Sequence, residues 1–387
     1  MKFFHLSDLH FGRQLHGYSL YMEQKEFIKQ LSKYIKEEKP DAVLFSGDIY
    51  DKAVPAGQAV ALLDEMLVSL DNIPSLIIAG NHDCAERLQY GRSFLEKHNI
   101  YISVLPPQKE DERLKKVILK DQYGNVCFYM LPFIKPGMVR HFMPDAAAGG
   151  EYAVIKALLE KEDINFSGRN VILSHQFYKN GSHLPERSDS EQKAVSVGGT
   201  DEIDISVLNG FDYAALGHIH KAQQAGKQIF RYCGTPLKYS VSEAGQDKSI
   251  TVVEMGTKKD GIHIRTLPVK PLHDVLKLRG GLGEIISFAK ENKDKQDDYV
   301  SITITDDDIP EMAKEQLQGY FPNILEIIAD NERTRQILSE EAADFKELSP
   351  YEAFAVFFKE ITGRGMDNKE SSLLKEVIEE ALKDRPF

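Results

Sequence analysis

The 387-residue sequence predicts an α/β protein whose first part is built on a parallel β-sheet with helical crossovers. In that part short apolar segments alternate with amphipathic ones, and the links between them are short. Glycine, acidic residues and histidine follow the apolar segments directly, as in Gly80-Asn81-His82-Asp83. Ligands bind at the carboxyl ends of the strands in open α/β sheets, so these residues are expected to form a site.

The first three predicted strands each end in residues that can bind a metal ion. For Asp8 and His10 alone, a turn aspartate beside a surface histidine would be the simpler interpretation. Because the carboxyl ends of parallel strands meet at one edge of a sheet, the threefold repetition indicates a shared site instead. Helices are predicted between the strands, over 23–38 and 59–70, and Pro40 ends the first. The strands and their polar ends are Lys2–Ser7 with Asp8 and His10, Asp41–Ser46 with Asp48, and Leu76–Ala79 with Asn81 and His82.

Two later strands end in histidine. An apolar strand predicted over 170–174 ends at His175, and a helix is predicted before it over 151–161. Another strand, over 211–216, is closed by Gly217-His218-Ile219-His220. Imidazoles two residues apart on an extended chain face the same way, so His218 and His220 are expected to project together.

Two features of this first part carry less information. The polar loop over 178–200 is long enough to suggest contact with a phosphate backbone, although a solvated loop explains it more simply. The second feature is the segment over 101–134, which predicts a meander.

Strands over 232–236, 248–255 and 262–269 are expected to form a second sheet packed on the first.

After Pro271 the pattern restarts and predicts a small α/β domain. Its Asp306-Asp307-Asp308 run is interpreted as a turn with helix N-terminal charge, in preference to a metal site. Two amphipathic helices follow; Ser349 caps the first, and Phe354 and Phe357 lie on its apolar side. Such short helices either fold back on the body or dock on another protein, and the aromatic residues favour docking. The predicted domains are 1–270, 271–340 and 341–387.

Composition indicates a soluble cytoplasmic protein. No apolar run approaches a membrane span, and the first residues have no signal-peptide pattern. The three cysteines have no ligand spacing and fit reduced thiols. Of the net charge of −12, residues 271–387 carry −11. Free-standing nucleic-acid binders are usually basic, so a DNA substrate would need attraction from metals or a partner.

The strand-end residues suggest a centre for two metal ions. Oxygen and imidazole donors without thiolate suit Mn²⁺, Fe or Zn²⁺ better than Ca²⁺. Two ions about 3.5–4 Å apart bind phosphate oxygens, activate water and stabilise in-line displacement. With Asp48 as the bridge, one ion would take Asp8, His10, Asp48 and His220, and the other Asp48, Asn81, His175 and His218.

His82 is left without a metal in this assignment. It could donate the proton that an expelled sugar hydroxyl needs, and Asp83 could orient its ring and keep it charged. A single histidine of this kind would usually be a satisfied core residue. Five at strand ends, each beside a carboxylate or amide, favour the metal centre.

These motifs resemble those of the calcineurin-like metallophosphoesterases, in the correct order over residues 1–220. The resembling motifs are Asp8-x-His10, Gly47-Asp48, Gly80-Asn81-His82-Asp83, His175 and Gly217-His218-Ile219-His220. Within the family, further segments are similar to the nuclease subunits of bacterial DNA-repair complexes: Ser7–Gly12, Gly80–Leu88, Tyr232–Pro236 and Lys248-Ser249.

The resemblance implies a β-sandwich core flanked by helices, with a small capping domain after 271. It implies a nuclease that uses two Mn²⁺ ions and acts on double-strand ends and hairpins, as exonuclease and endonuclease. It also implies a homodimer whose terminal helices bind the coiled coil of an ATPase subunit, which would feed in the DNA.

Two other functions stay open. Protein phosphatases of the family continue from Gly47-Asp48 to an arginine, whereas Asp51-Lys52 follow here, which counts against that class. A phosphoesterase for small nucleotides or phosphoproteins is disfavoured by the C-terminal extension. A non-catalytic binding subunit is disfavoured by the complete ligand set and His82.

Overall fold

The computed structural model describes residues 1–70, 72–191, 202–331 and 349–383. The described strands are β1 (Lys2–Leu6), β2 (Gln14–Leu15), β3 (Tyr18–Ser19), β4 (Ala42–Ser46), β5 (Ser75–Ile78), β6 (Ile100–Ser103), β7 (Lys115–Asp121), β8 (Gly124–Leu131), β9 (Arg169–His175), β10 (Tyr178–Lys179), β11 (Ile203–Asp204), β12 (Tyr213–Gly217), β13 (Gln223–Ala225), β14 (Lys227–Tyr232), β15 (Ser249–Met255), β16 (Ile262–Pro268), β17 (Val275–Gly280), β18 (Tyr299–Ile304) and β19 (Ile324–Ala329). The described α-helices are α1 (Tyr21–Glu38), α2 (Gly57–Ser69), α3 (Ala85–Leu88), α4 (Arg92–Leu95), α5 (Pro144–Ala148), α6 (Gly150–Lys161), α7 (Leu282–Glu291), α8 (Ala313–Gln318), α9 (Pro350–Thr362) and α10 (Asn368–Lys383).

Two six-stranded sheets form the first part of the chain. The first has the order β16-β15-β1-β4-β5-β6, with β1, β4, β5 and β6 parallel. The second has the order β13-β14-β12-β9-β8-β7, with β14, β12, β9 and β8 parallel. Each sheet carries antiparallel strands at one or both edges, namely β15 and β16 in the first and β7 and β13 in the second.

The predicted membership of the sheets was wrong in part. β15 and β16 extend the first sheet, because β15 pairs antiparallel with β1, from Lys2 opposite Glu254 to His5 opposite Thr251. The strands that end at His175 and Gly217 belong to the second sheet instead. Apolar periodicity identifies a strand but not its partner, since the pairing depends on contacts far apart in sequence.

The sheets pack face to face through apolar side chains. Phe3 of β1 lies edge-on to Phe128 and to Tyr213 of the opposite sheet, with ring centroids 5.7 Å apart in both pairs. Burying each such ring contributes about 1.5–3 kcal/mol, and an edge-on geometry suits the ring quadrupoles. Helices α1 and α2 cover the outer face of the first sheet and α6 that of the second. The predicted β-sandwich flanked by helices is confirmed.

Helix α1 shows why the sequence folds this way locally. Its inward residues Phe27, Leu31 and Ile35 recur at helical spacing and are buried. The helix ends at Glu38 because Lys39 adopts a left-handed conformation with φ 49° and Pro40 cannot continue it. The chain then enters β4, which leads to Asp48.

The chain divides into two compact units. The first comprises Met1–Lys277, Lys293–Ser301 and Phe321–Glu326. The second comprises Leu278–Asn292, Ile302–Tyr320 and Ile327–Phe387. Strands β17, β18 and β19 form a sheet in that order. The predicted boundary between 340 and 341 lies outside the described residues.

Contacts in the second unit show the roles of two features of the sequence, the acidic run at 306–308 and the cap at Ser349. Asp306 accepts a hydrogen bond of 2.6 Å from the Leu282 N–H, so the acidic run does supply a charge at a helix N-terminus, but at that of α7 and not at that of the helix expected after Pro310. In α9 the Ser349 hydroxyl accepts from the Glu352 N–H and the Glu352 carboxylate accepts from the Ser349 N–H, which is the predicted cap. Across the described residues, no helix is both long and apolar enough for a membrane crossing.

Candidate metal centre

The predicted site residues meet where the carboxyl ends of the two sheets come together. Strands β1, β4 and β5 deliver their end residues from one sheet, and β9 and β12 from the other. Among the hydrogen bonds that join the sheets at this edge, two involve Ser46. The Ser46 hydroxyl donates to the Ala215 carbonyl at 2.9 Å, and Nδ1 of His175 lies 2.7 Å from the Ser46 carbonyl oxygen.

Glycines make this close approach possible. A Cβ on Gly47 would lie 2.2 Å from Nδ1 of His175, and one on Gly217 would lie 2.0 Å from the Ser46 carbonyl oxygen. Gly47 also has φ +96°, a conformation that other residues rarely adopt. The glycines that end the strands in the sequence therefore leave room for the side chains of the site.

Four non-glycine residues of the site have left-handed backbone conformations. The φ values are 54° at Asp8, 44° at His10, 49° at Asp48 and 92° at His218. Such residues cost about 1–3 kcal/mol each and cluster at functional sites, where the surrounding structure enforces them. The strain therefore agrees with a site built for binding rather than for stability alone.

One group of donor atoms is formed by Asp8, His10 and His220. Their ligand atoms all lie within 4.8 Å of one another, and the three side chains are buried. Nε2 of His10 is 3.2 Å from Nε2 of His220. This is the group that the sequence assigned to the first ion, with Asp48 next to it at 3.8 Å from His10.

A second group surrounds His175. Its Nε2 lies 3.3 Å from Oδ2 of Asp48 and 3.1 Å from Oδ1 of Asn81. Nδ1 of His218 is 3.1 Å from the same Asn81 oxygen. Asp48 is thus near both His10 and His175, as a bridge between two ions requires, and the bridging role stays a prediction.

The donor set fits divalent metal ions. An ion bound at about 2.0–2.2 Å by nitrogen and oxygen atoms places neighbouring donors roughly 3 Å apart. One pair in each group has this spacing, namely His10 and His220 at 3.2 Å and His175 and Asn81 at 3.1 Å. The Ser46 carbonyl can only accept, so the His175 ring carries its proton on Nδ1 and its Nε2 lone pair faces the second group. Carboxylate, amide and imidazole donors without thiolate agree with the metals predicted from the sequence.

Burial shifts the pKa values of these groups. It raises the pKa of Asp8 and lowers that of His10 well below its usual value. It also lowers the pKa of His218 to about 3. Burial opposes a charged His175, but the adjacent Asp48 outweighs it and raises the pKa to about 9. In the metal-free chain His175 therefore binds a proton on Nε2 as well, and an ion that binds this nitrogen would take the place of that proton. Beside the uncharged His10 and His218, a bound cation would supply the positive charge that stabilises the buried carboxylates.

His82 lies at the edge of these groups. Its main-chain N–H donates to Oδ1 of Asp48 at 2.8 Å, and its Nε2 is 3.9 Å from Oδ2 of the same residue. Nδ1 of the ring is 2.7 Å from the carbonyl oxygen of Asp51. A carbonyl only accepts, so Nδ1 carries a proton and Nε2 is the atom directed at the centre.

The expected contact between Asp83 and the His82 ring is not the one in the structure. The Asp83 carboxylate accepts instead from the main-chain N–H groups of Ile49, Tyr50 and Gly80, at 2.9–3.1 Å. Burial and the charge of Asp48 raise its pKa to about 6. Asp83 therefore joins the turns after β4 and β5, and the Asp51 carbonyl orients the ring. A carboxylate next to a histidine in sequence indicates proximity but not which atoms meet.

Some residues around the centre received no role from the sequence. Asp51 groups with His10 and His82, and Nη1 of Arg13 donates to it at 2.7 Å. Ser190 and Glu191 contact His220 from the long polar loop, of which residues 192–200, including Lys193, Gly198 and Gly199, lie outside the described part. Nothing in the loop's pattern identified the two residues. For Asp51, the sequence did offer one indication of a place near the centre, namely its position three residues after the predicted ligand Asp48.

Two family models match separate regions of this chain, and a known protein resembles almost all of it. A model of the calcineurin-like phosphoesterases matches residues 1–222, and a model described as the type 5 capsule protein repressor C-terminal domain matches residues 271–362. A protein named as the D subunit of nuclease SbcCD, from Staphylococcus saprophyticus, is 28% identical over 389 residues that cover 99% of each chain. A solved structure titled GAP50, the anchor in the inner membrane complex of Plasmodium, is similar with a TM-score of 0.41 and 13% identity, over 70% of this chain and 85% of that one. The first match includes every strand-end residue from Asp8 to His220.

Proposed function

Because this chain belongs to the calcineurin-like phosphoesterase family, we propose that it is a metal-dependent DNA nuclease that hydrolyses phosphodiesters with two divalent ions. The observation that carries the hydrolase part is the pair of donor groups on either side of Asp48, with His82 at their edge. DNA as the substrate rests on the end-to-end similarity to the protein named as the D subunit of nuclease SbcCD. Exonuclease action on duplex ends and endonuclease action on single strands and hairpins belong to the same proposal.

The residues of the chain have separate tasks in this reaction. Asp8, His10, Asp48 and His220 would hold one ion, and Asp48, Asn81, His175 and His218 the other. When bound, such ions polarise a phosphate and lower the pKa of a water. His82 donates a proton from Nε2 to the leaving sugar oxygen, since its Nδ1 is engaged by the Asp51 carbonyl. The Asp48 oxygen that accepts the His82 N–H fixes the distance between proton donor and metal centre.

We propose Mn²⁺ as the metal at both positions. The donors are oxygen and imidazole nitrogen atoms, and Mn²⁺ binds both readily. This mixed donor set is less suited to Ca²⁺. Mg²⁺ prefers oxygen donors and several retained waters, so four histidines in the ligand set disfavour it.

The proposed partners are DNA, an SbcC-type ATPase subunit and a second copy of this chain. The acidic charge of residues 271–387 gives DNA little attraction there, so an ATPase subunit that holds the DNA would complete the enzyme. Exposed apolar side chains on α9 and α10, among them Phe357 and Leu373, offer a surface for its helices.

Cleavage of end-labelled duplex DNA with Mn²⁺, Mg²⁺ or EDTA tests the proposal. Wild type is compared with Asp48→Ala and His82→Ala, and with His263→Ala as an exposed control remote from the centre in sequence. Manganese-dependent products that both site variants lose and the control keeps would support the two-metal nuclease. Turnover of a generic aryl phosphodiester without any cleavage of DNA would retain the hydrolase and reject the DNA substrate, in favour of small nucleotides or phosphoproteins.

A further inference from the structure

A line of buried hydrogen bonds leads from His220 away from the metal centre. Nδ1 of His220 lies 2.6 Å from the Ser190 hydroxyl oxygen, and that hydroxyl donates to Oε1 of Glu243 at 2.6 Å. The other Glu243 oxygen accepts from Nζ of Lys248 at 2.6 Å. Glu243 is fully buried, and Ser190 and Lys248 are each 8% exposed.

The direction of each bond follows from the groups involved. A carboxylate next to an ammonium group only accepts, so the single hydroxyl hydrogen of Ser190 points to Glu243. The Ser190 oxygen can then only accept from His220, which places the ring proton on Nδ1. The Nε2 lone pair of His220 therefore faces Nε2 of His10, 3.2 Å away.

Glu243 is held in place by several contacts besides Lys248. Its oxygens accept from the Thr235 hydroxyl at 3.2 Å, the Tyr239 N–H at 3.2 Å and the Ser240 hydroxyl at 3.0 Å. A fully buried carboxylate with this many donors stays ionised and keeps one orientation. The orientation of the Ser190 hydroxyl is consequently fixed as well.

The main chain of His220 is fixed by the same surroundings. Its N–H donates to Oε1 of Glu191 at 2.8 Å, and its carbonyl accepts from Nζ of Lys248 at 3.1 Å. His220 is thus bound at its ring, its N–H and its carbonyl. Ser190 and Glu191 belong to the polar loop, so this loop reaches the centre through His220.

We propose that Ser190, supported by Glu243 and Lys248, is a positioning residue that sets the tautomer and orientation of His220 for metal binding. The inference rests on the proposed function only in requiring that a divalent ion binds between His10 and His220. Residues that hold the far nitrogen of a ligating histidine raise metal affinity by fixing the ring and its lone pair. The alternative is that the Glu243–Lys248 pair serves stability alone, in which case Ser190 would not affect the metal.

Titration of Mn²⁺ into the metal-free full-length chain, followed by calorimetry, distinguishes a positioning role of Ser190 from a role in stability alone. We expect Ser190→Ala to weaken binding at one of the two sites about 10–100-fold. Ser190→Thr, which keeps the hydroxyl, should restore most of the affinity. Ser75→Ala is the matched control, because Ser75 is also a buried serine, but its hydroxyl donates to the Ile73 carbonyl at 2.9 Å and it belongs to none of the contacts around Glu243 and His220. Thermal unfolding in EDTA is measured for all variants.

The outcomes separate this inference from the proposed function. Weaker Mn²⁺ binding in Ser190→Ala but not in Ser75→Ala, with similar unfolding in EDTA, supports the positioning role. Equal affinity in wild type and Ser190→Ala overturns it, whatever the melting temperatures. If Ser190→Ala folds poorly, Glu243→Gln provides a second test, because it keeps the shape of the side chain but loses the charge that orients Ser190. We expect this variant also to bind Mn²⁺ more weakly at one site. Absence of Mn²⁺ binding in wild type would overturn the proposed metal centre itself.

Discussion

The ring nitrogen Nδ1 of His82 lies 2.7 Å from the main-chain oxygen of Asp51. Asp51 is in turn fixed through its side chain by Nη1 of Arg13 at 2.7 Å. A main-chain carbonyl orients the ring without adding a charge, so Nε2 is the ring nitrogen of His82 that faces Asp48. This contact leads to the first prediction.

His82→Ala should reduce the rate of DNA cleavage about 10²–10⁴-fold, the usual contribution of a general acid. The substitution leaves the predicted metal ligands intact, and the main-chain N–H that donates to Asp48 is kept, so Mn²⁺ affinity should be unchanged. The measurements are single-turnover cleavage and calorimetric titration of Mn²⁺, with His263→Ala as control. Unchanged turnover with metal still bound would exclude the acid role.

Gly80→Ala should disrupt the centre through Asp48. A Cβ at this position would lie 2.1 Å from Oδ1 of Asp48 and 2.4 Å from its main-chain nitrogen, so the carboxylate must move. We expect a loss of at least tenfold in Mn²⁺ affinity and a destabilisation of about 1–3 kcal/mol, as for other overpacked sites.

Gly137→Ala is the control for that substitution, because a Cβ there meets nothing within 4 Å. Both variants are compared by metal titration and by thermal unfolding in EDTA. Wild-type affinity in Gly80→Ala would show that the carboxylate can shift without cost, and the predicted role of Asp48 as the bridge would lose its support.

Metal removal should lower the melting temperature of wild type. A ligand that binds only the folded state at 100 times its dissociation constant stabilises it by about 2.7 kcal/mol per site. Asp48→Asn should abolish most of the difference between Mn²⁺ and EDTA, since Asp48 neighbours both donor groups. Differential scanning calorimetry measures the shift, and a full shift in Asp48→Asn would contradict a shared ligand.

The ion pair between Asp121 and Arg169 should make stability depend on pH. Arg169 donates two bonds to the carboxylate, at 2.9 and 2.6 Å, and holds the pKa of Asp121 well below its usual value. The stabilisation is present above the pKa of about 3.9 in the unfolded chain and is lost as pH falls below it. Asp121→Asn should therefore destabilise the protein by about 2 kcal/mol near pH 7.

The difference between wild type and Asp121→Asn should shrink as the pH falls from 5 toward 3 in melting experiments. Asp163→Asn, at an exposed position, is the control and should show no such dependence. A constant difference over this pH range would mean that the substitution acts through packing and not through the charge.

The exposed apolar side of the terminal helices should bind the ATPase subunit. Phe357 and Leu373 are 54% and 63% exposed, so glutamate there should not disturb folding. We expect Phe357→Glu and Leu373→Glu to reduce co-purification with an SbcC-type ATPase at least tenfold, and deletion of 349–387 to abolish it. Ile118→Glu, on a 53% exposed residue of β7, is the matched control.

Cleavage of single strands with Mn²⁺ should survive all of these changes, because none of them alters a predicted metal ligand or His82. Co-purification that persists after the deletion would refute docking through these helices. Loss of cleavage along with binding would indicate that the helices also support the nuclease unit.

Much of the centre was predictable because its parts are local in sequence. Gly47-Asp48, Gly80-Asn81-His82 and Gly217-His218-Ile219-His220 each place donors directly after a strand, where a short segment fixes their direction. The contacts of Asp83 were not predictable in this way. Its sequence neighbour His82 was the obvious partner, but three main-chain N–H groups brought together by the fold bind it more completely.

The strands, their polar ends and the residue types that can bind a metal follow from the sequence alone, since these depend on periodicity and on chemistry within a few residues. The folded structure was needed to establish that β9 and β12 lie in the second sheet, that the Asp51 carbonyl contacts the His82 ring, and that Ser190 links His220 to Glu243. Each of these contacts joins residues about 30 or more positions apart or depends on which strands pair. Such pairings follow from the packing of two apolar sheet faces as a whole, which no short segment specifies.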